Sequence, residues 1–179
     1  ALNAIPTAEG CLALLLELRR RTVWESRFLV LGYGRVARAL AQRLFLLGAE
    51  VTVAARSAEQ RAEARGAGCC AEPLDALPGC LPQFDTVINT IPAPVLPRAL
   101  LQKLRAAGKA ILLASHDMAE VSALCTRIAV LHQGRIVFCG APQELSRRLG
   151  ARHRVVIRCG EKERRFETAD VGRDLAQAL

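Results

Sequence analysis

Short apolar runs alternate with amphipathic stretches along most of the 179-residue chain. "RFLVLG" (27–32) is continuous and apolar, as expected of a parallel strand buried on both faces. "AEVTVAARS" (49–57), "DTVINTIPAPVL" (85–96) and "KAILLASH" (109–116) repeat the theme. Between them, "RVARALAQRLFLLG" (35–48), "AEQRAEARG" (58–66) and "PRALLQKLRAAG" (97–108) carry helical spacing, with Gly48 and Gly108 placed to end the first and the last. "IPTAEGCLALLLELRRR" (5–21) predicts an earlier helix that starts at Pro6 and Thr7. Glu9 would then fall in its first turn, and Arg19 to Arg21 at its C-terminal end, both suited to the helix dipole.

The stretch "GAGCCAEPLDALPGCLPQF" (66–84) reads as loop, with at most a short strand around Cys69 to Ala71. Past residue 116 the pattern changes. "DMAEVSALCT" predicts a helix with Asp117 as its cap, and "RIAVLHQGRIVFCG" predicts two strands round a His132-Gln133-Gly134 turn. A helix over "APQELSRRLG", a hairpin from "HRVVIRC" and "RRFET", and a last short helix in "VGRDLAQAL" complete the expectation. Alternating strands and helices predict an α/β fold. Its form would be a Rossmann-like three-layer sandwich with a mostly parallel sheet, extended by a small C-terminal α+β segment.

Composition narrows the function classes. Half the residues are apolar, enough for a sizeable core, and no apolar run reaches membrane-spanning length without a charge or turn signal. With no secretory leader pattern either, a cytoplasmic location is expected. Seven cysteines follow no metal or redox spacing, so free thiols and no metal site are expected. The +8 charge is uneven: residues 1–97 hold ten Arg, no Lys and nine acids, whereas 98–179 hold fifteen Lys plus Arg against eight acids. The basic groups are interspersed with acids and lack interleaved aromatics, which reads as a solvated face and not a nucleic-acid surface.

One motif carries chemistry. Gly32-Tyr33-Gly34-Arg35-Val36-Ala37 matches G-x-G-x-x-[GA] between a strand and a helix. Gly32 would permit the tight turn, Gly34 the approach of backbone to a pyrophosphate, and Ala37 close packing of helix on strand. Amide groups of the first helical turn would meet the negative charge. The alternative is a glycine turn kept for packing. At the end of the second strand, where an NAD enzyme usually has a carboxylate, stand Ala55-Arg56-Ser57. A guanidinium and a hydroxyl suit a 2′-phosphate, so NADP(H) is expected over NAD(H). Arg56 could equally be an ordinary surface arginine.

"NAIPTAEG", "VLGYGRVARALAQRLFLLGAEVTVAARS" and "INTIPAPVL", in that order over residues 2–97, resemble the dipicolinate synthase family in its nucleotide-binding polypeptide. The resemblance implies a nicotinamide-binding domain that serves an oxidoreductase. By position, Gly32, Gly34, Arg35, Val36 and Ala37 would hold the pyrophosphate and Arg56 and Ser57 would face the adenosine ribose. Asn89, Thr90, Ile91 and Pro92 would line the cleft. The family carries a substrate-binding portion ahead of the "NAIPTAEG" helix, so an incomplete substrate site is expected here, with catalytic residues unassigned. A second subunit or a homo-oligomer would be the partner.

From Pro97 to about Gly150, "LLQKLRAAGKAILLASHDMAEVSALCTRIAVLHQGRIVFCGAPQEL" resembles the C-terminal part of ABC transporter ATP-binding subunits. Ser115-His116-Asp117 stands where that family has its γ-phosphate-sensing histidine. Phosphoryl transfer needs a phosphate cradle and an acidic metal partner. Neither a G-x-x-x-x-G-K-[ST] loop nor a strand ending in Asp-Glu occurs, so ATPase activity is not expected. The seam between the two resemblances falls near 97–109, inside a dinucleotide-binding domain (1–126) that is followed by a transporter-like extension (127–179), with "KAILLAS" as the next strand of the sheet. A transporter fragment without hydrolysis, or an inactive recombined α/β chimera, are the alternatives.

Overall fold

A computed structural model describes residues 4–19, 21–92, 95–115, 118–132, 135–148, 153–159 and 162–168. Its elements in chain order are α1 (Ala4–Leu18), β1 (Arg27–Leu31), α2 (Arg35–Leu46), β2 (Glu50–Ala55), α3 (Ala58–Gly66), β3 (Cys70–Pro73), α4 (Leu77–Cys80), β4 (Thr86–Asn89), α5 (Arg98–Ala106) and β5 (Ala110–Leu113). Then follow α6 (Met118–Leu124), β6 (Ile128–His132), β7 (Arg135–Gly140), α7 (Pro142–Arg148), β8 (His153–Cys159) and β9 (Lys162–Thr168). The first five strands form one parallel sheet in the order β3-β2-β1-β4-β5, while β6–β7 and β8–β9 are separate antiparallel pairs. The α/β sandwich with its small C-terminal extension is therefore present, and "KAILLAS" does supply β5, paired to β4 from Thr86↔Ala110 to Asn89↔Leu113.

β1 lies at the sheet's centre, and its sequence shows why. Phe28 and Val30 enter one core with Ala37, Leu40, Ala41 and Leu44 of α2, while Leu29 and Leu31 enter the other with Val87, Leu101 and Leu104. A strand wetted on neither face has to be apolar at every position. The first core is closed by α1, whose Ala8, Cys11 and Leu15 pack towards α2.

Two sequence expectations change. The first helix begins by Ala4, two residues before Pro6, which leaves no acidic residue in the first turn and no basic residue in the last. Glu9 instead pairs with Arg43 of α2 at 2.9 Å, and Arg19 and Arg21 lie beyond the helix end. The dipole effect, under about 1 kcal/mol and confined to the terminal turn, no longer reaches Glu9 in a helix that starts by Ala4. Residues 66–84 are also more regular than a loop. β3 runs Cys70–Pro73, one residue later than expected, and pairs with β2, while α4 is flanked by 3₁₀ turns at Leu74–Ala76 and Leu81–Gln83. Buried Leu77 and Leu81 hold this segment against the second core. Asp117, the Gln133-Gly134 turn and the "VGRDLAQAL" helix fall outside the described residues.

The transporter-like hairpin docks on α1. Gly10 sits in that helix, and a β-carbon there would collide with Leu131 of β6. A glycine inside a helix costs about 1 kcal/mol against alanine, and this one is explained by the close approach. Ile128, Phe138 and Leu145 make the hairpin's own small core with α7.

At the amino-terminal edge of the sheet, Asp85 accepts from the Arg27 amide (2.9 Å) and pairs with Arg21 (2.8 Å). Chiefly the amide bond, reinforced by the charges of Arg21, Arg27 and Lys109 and opposed by burial, holds its carboxyl below the usual range. The ionised form is thus favoured in the folded state. Its contribution is complete above the unfolded value of about 4 and is lost as pH falls through the lower folded value. Asp85→Asn should lower the urea midpoint at neutral pH and flatten its further fall below about pH 4; parallel acid limbs in the two proteins would contradict this.

Candidate functional site

The glycine turn leaves the carboxyl end of β1. Gly32 has φ +86°, a region L residues rarely adopt, and its amide donates to the Ala54 carbonyl at 2.8 Å, extending the β1–β2 ladder by one step. A β-carbon on Gly32 would lie 2.9 Å from Cγ1 of Ile91 and 3.1 Å from Oγ1 of Thr90. Gly34 differs. At φ −79° and ψ −174° it has an ordinary extended backbone, and a β-carbon there would meet nothing within 4 Å. Neither its own dihedrals nor a neighbour requires glycine at this position. Open space faces it.

Gly34 is the N-cap of α2, and no side chain caps that end. The first helical bond runs from the Arg38 amide to the Gly34 carbonyl (2.9 Å), so the amides of Arg35, Val36 and Ala37 precede the ladder. No acidic residue occupies this first turn. Amide hydrogens and the positive end of the helix dipole therefore meet open space, a setting that favours an anion. Ala37 is fully buried against the first core, while Arg35 is exposed and Val36 half-buried.

Asn89 ends β4 directly beside Leu31 in the register. Its Oδ1 accepts from the Ile91 amide (3.0 Å), and the side chain is buried within that turn. Thr90 donates to the Leu31 carbonyl twice, from its amide at 3.1 Å and its hydroxyl at 2.7 Å. These bonds clamp the β4 loop to the end of β1. Ile91 is half-buried against Gly32, and Pro92 is exposed. The chain passes outward to β2 and β3 on one side of β1, and to β5 beyond β4 on the other. Hence β1 and β4 flank the topological switch point, where open α/β sheets bind ligands.

The end of β2 forms a second corner. Arg56 is exposed, and Ser57 caps α3 by accepting from the Gln60 amide at 3.5 Å. Sequence reasoning missed Arg61, whose Nη1 donates to the carbonyls of Ala55 (2.8 Å) and Arg56 (2.6 Å) and so places a second guanidinium there. Its signal was a cation four residues past a capping serine, hidden among the other charges of a polar helix. Also missed was Arg38, bonded through Nε to the Tyr33 carbonyl (3.1 Å) and paired with Glu63 of α3 at 2.6 Å. Tyr33 itself is buried. Burial first, then Cys69 and Glu63, pushes its phenol up against the opposing pull of Arg38, so it stays neutral near pH 7.

His116 and Asp117 fall outside the described residues. Among the described residues, no group of three His, Cys, Asp or Glu is placed to hold a metal, and no helix is long and apolar enough to cross a membrane.

The chain is similar to known proteins over two separate stretches. The NAD(P)-binding family matches residues 20–129. The A subunit of dipicolinate synthase from Bacillus subtilis (strain 168) is 34% identical over 102 residues, covering 57% of this chain and 34% of that protein. The chain thus spans about a third of that relative's length. The crystal structure of dipicolinate synthase, A chain, from Bacillus subtilis superposes with a TM-score of 0.58 at 29% identity, over 64% of this chain and 46% of the other. Separately, 49 residues, 27% of this chain, are 45% identical to 3% of the phospholipid-transporting ATPase ABCA3 of Homo sapiens.

Proposed function

Because this chain belongs to the NAD(P)-binding family, we propose that it holds NADP(H), in preference to NAD(H), across the carboxyl ends of β1 and β4, and serves an oxidoreductase of the dipicolinate synthase type. The uncapped start of α2, facing open space beyond Gly34 at the switch point, carries this reading. Gly34 and the amides of Arg35, Val36 and Ala37 receive the diphosphate, with the Arg35 side chain at its rim. Gly32 makes the turn that brings them there. Asn89, Thr90, Ile91 and Pro92 form the wall on the β4 side, where Asn89 fixes the turn through the Ile91 amide, Thr90 clamps it to Leu31, and the last two act through their surfaces.

NADP(H) preference rests on charge. Arg56 and Ser57 stand where a carboxylate would repel a 2′-phosphate, and Arg61 adds a second cation bound to the same backbone. When bound, the nicotinamide accepts or donates a hydride; the chain's own residues bind and orient it. Contacts to the substrate come from outside this nucleotide-binding domain. The transporter-like stretch serves as packing: β5 completes the sheet and the β6–β7 hairpin covers α1, without ATP hydrolysis.

Calorimetric titration with NADPH and NADH tests the proposal. NADPH should bind more tightly than NADH. Arg56→Ala should weaken NADPH by roughly tenfold, the scale of one charge-assisted hydrogen bond, and leave NADH unchanged. Absence of heat with both nucleotides would end the cofactor assignment; equal affinity for the two would end the preference.

A further inference from the structure

Two glycines flank Tyr33, so the peptide units of the turn have more rotational freedom than any neighbour. Something must hold them before a ligand arrives. The Tyr33 ring is buried, but a buried ring leaves the peptide plane beyond it free to rotate. Arg38 removes that freedom. Its Nε donates to the Tyr33 carbonyl at 3.1 Å, its guanidinium lies over the Tyr33 ring at 5.4 Å, and Nη2 meets Oε2 of Glu63 at 2.6 Å. In a trans peptide the carbonyl and the following amide point in opposite directions. With the Tyr33 carbonyl turned to Arg38, the Gly34 amide faces away from it, and that amide has no partner among the described residues.

The geometry points to Arg38 and Glu63 as positioning residues that aim the Gly34 amide at the diphosphate. This rests on the cofactor reading above and names how the turn is held in its binding conformation. Glu63 neutralises the guanidinium and holds its fork, so Arg38 acts on the peptide and not as a phosphate ligand. Lysine could not do the same, because one ammonium on a flexible stem cannot present Nε and Nη2 to two acceptors at fixed angles.

ADP-ribose, which carries the diphosphate, and adenosine, which carries none, separate the roles. The first is followed by calorimetry and the second by ligand-observed NMR. Arg38→Met, which keeps the stem over Tyr33, should weaken ADP-ribose about tenfold and leave adenosine within about twofold of the parent. Arg38→Lys should behave likewise, and it decides alone if the methionine variant does not fold. Unchanged ADP-ribose affinity in the variants overturns the proposal. So does a matched loss of both ligands, which would mark a purely structural link between α2 and α3. Failure of the parent protein itself to bind ADP-ribose would instead refute the cofactor reading on which the proposal stands.

Discussion

Gly34→Asp should raise the stability of this protein while removing its affinity for NADPH and NADH. The backbone at Gly34 already has the extended dihedrals of an N-cap, and a new side chain would meet nothing within 4 Å. An aspartate carboxylate can accept from the amides of Val36 or Ala37, which no side chain now caps. Cap and dipole together are worth about 0.5–1 kcal/mol relative to glycine. The same carboxylate fills the space proposed for the diphosphate and repels its charge. A loss of affinity of at least about 100-fold is expected, because the lost contacts and the added repulsion act together. Thermal unfolding and calorimetric titration on one preparation check both signs. Retained binding would show that the diphosphate does not sit on the start of α2.

The second large effect concerns the other glycine and has the opposite sign for stability. Gly32→Val forces a β-branched residue to φ +86° and sets its β-carbon 2.9 Å from Ile91. Strain and overpacking at the end of the central strand add to about 3 kcal/mol. For a chain of this size that is a fall in Tm of roughly 6–12 °C. Cofactor binding should go with it, since the clamp of Thr90 on Leu31 is built against Gly32. Within one motif, one glycine is then structural and the other functional. A Gly32→Val variant of parental Tm would contradict the crowded turn seen here.

Much of this was legible along the chain. Strand β1 could be read from "RFLVLG" because both its faces are dry, and α2 from the spacing of Ala37, Leu40, Ala41 and Leu44. The glycine motif stood out because its flanks are a strand and a helix. Less visible were the elements held by contacts distant in sequence. Residues 66–84 show no periodicity, since their helical turns are single and owe their form to Leu77 and Leu81 seated in the second core. Glu9 looked like a dipole partner until α2 brought Arg43 within 2.9 Å. Arg38, Glu63 and Arg61 were lost among charges, because whether an arginine bonds a carbonyl or points to water depends on which backbone lies beside it.

By itself the order of residues determined the alternation of strand and helix, the place of the glycine turn and the resemblance of two segments to two different families. Each depends on local spacing and on residue types that tolerate few backbones. Tertiary structure decided the rest. It set β1 and β4 side by side at the switch point, seated the β6–β7 hairpin on Gly10 of α1, and left the space before Gly34 open. Those outcomes rest on pairings and close approaches between residues tens of positions apart, where no local pattern carries the information.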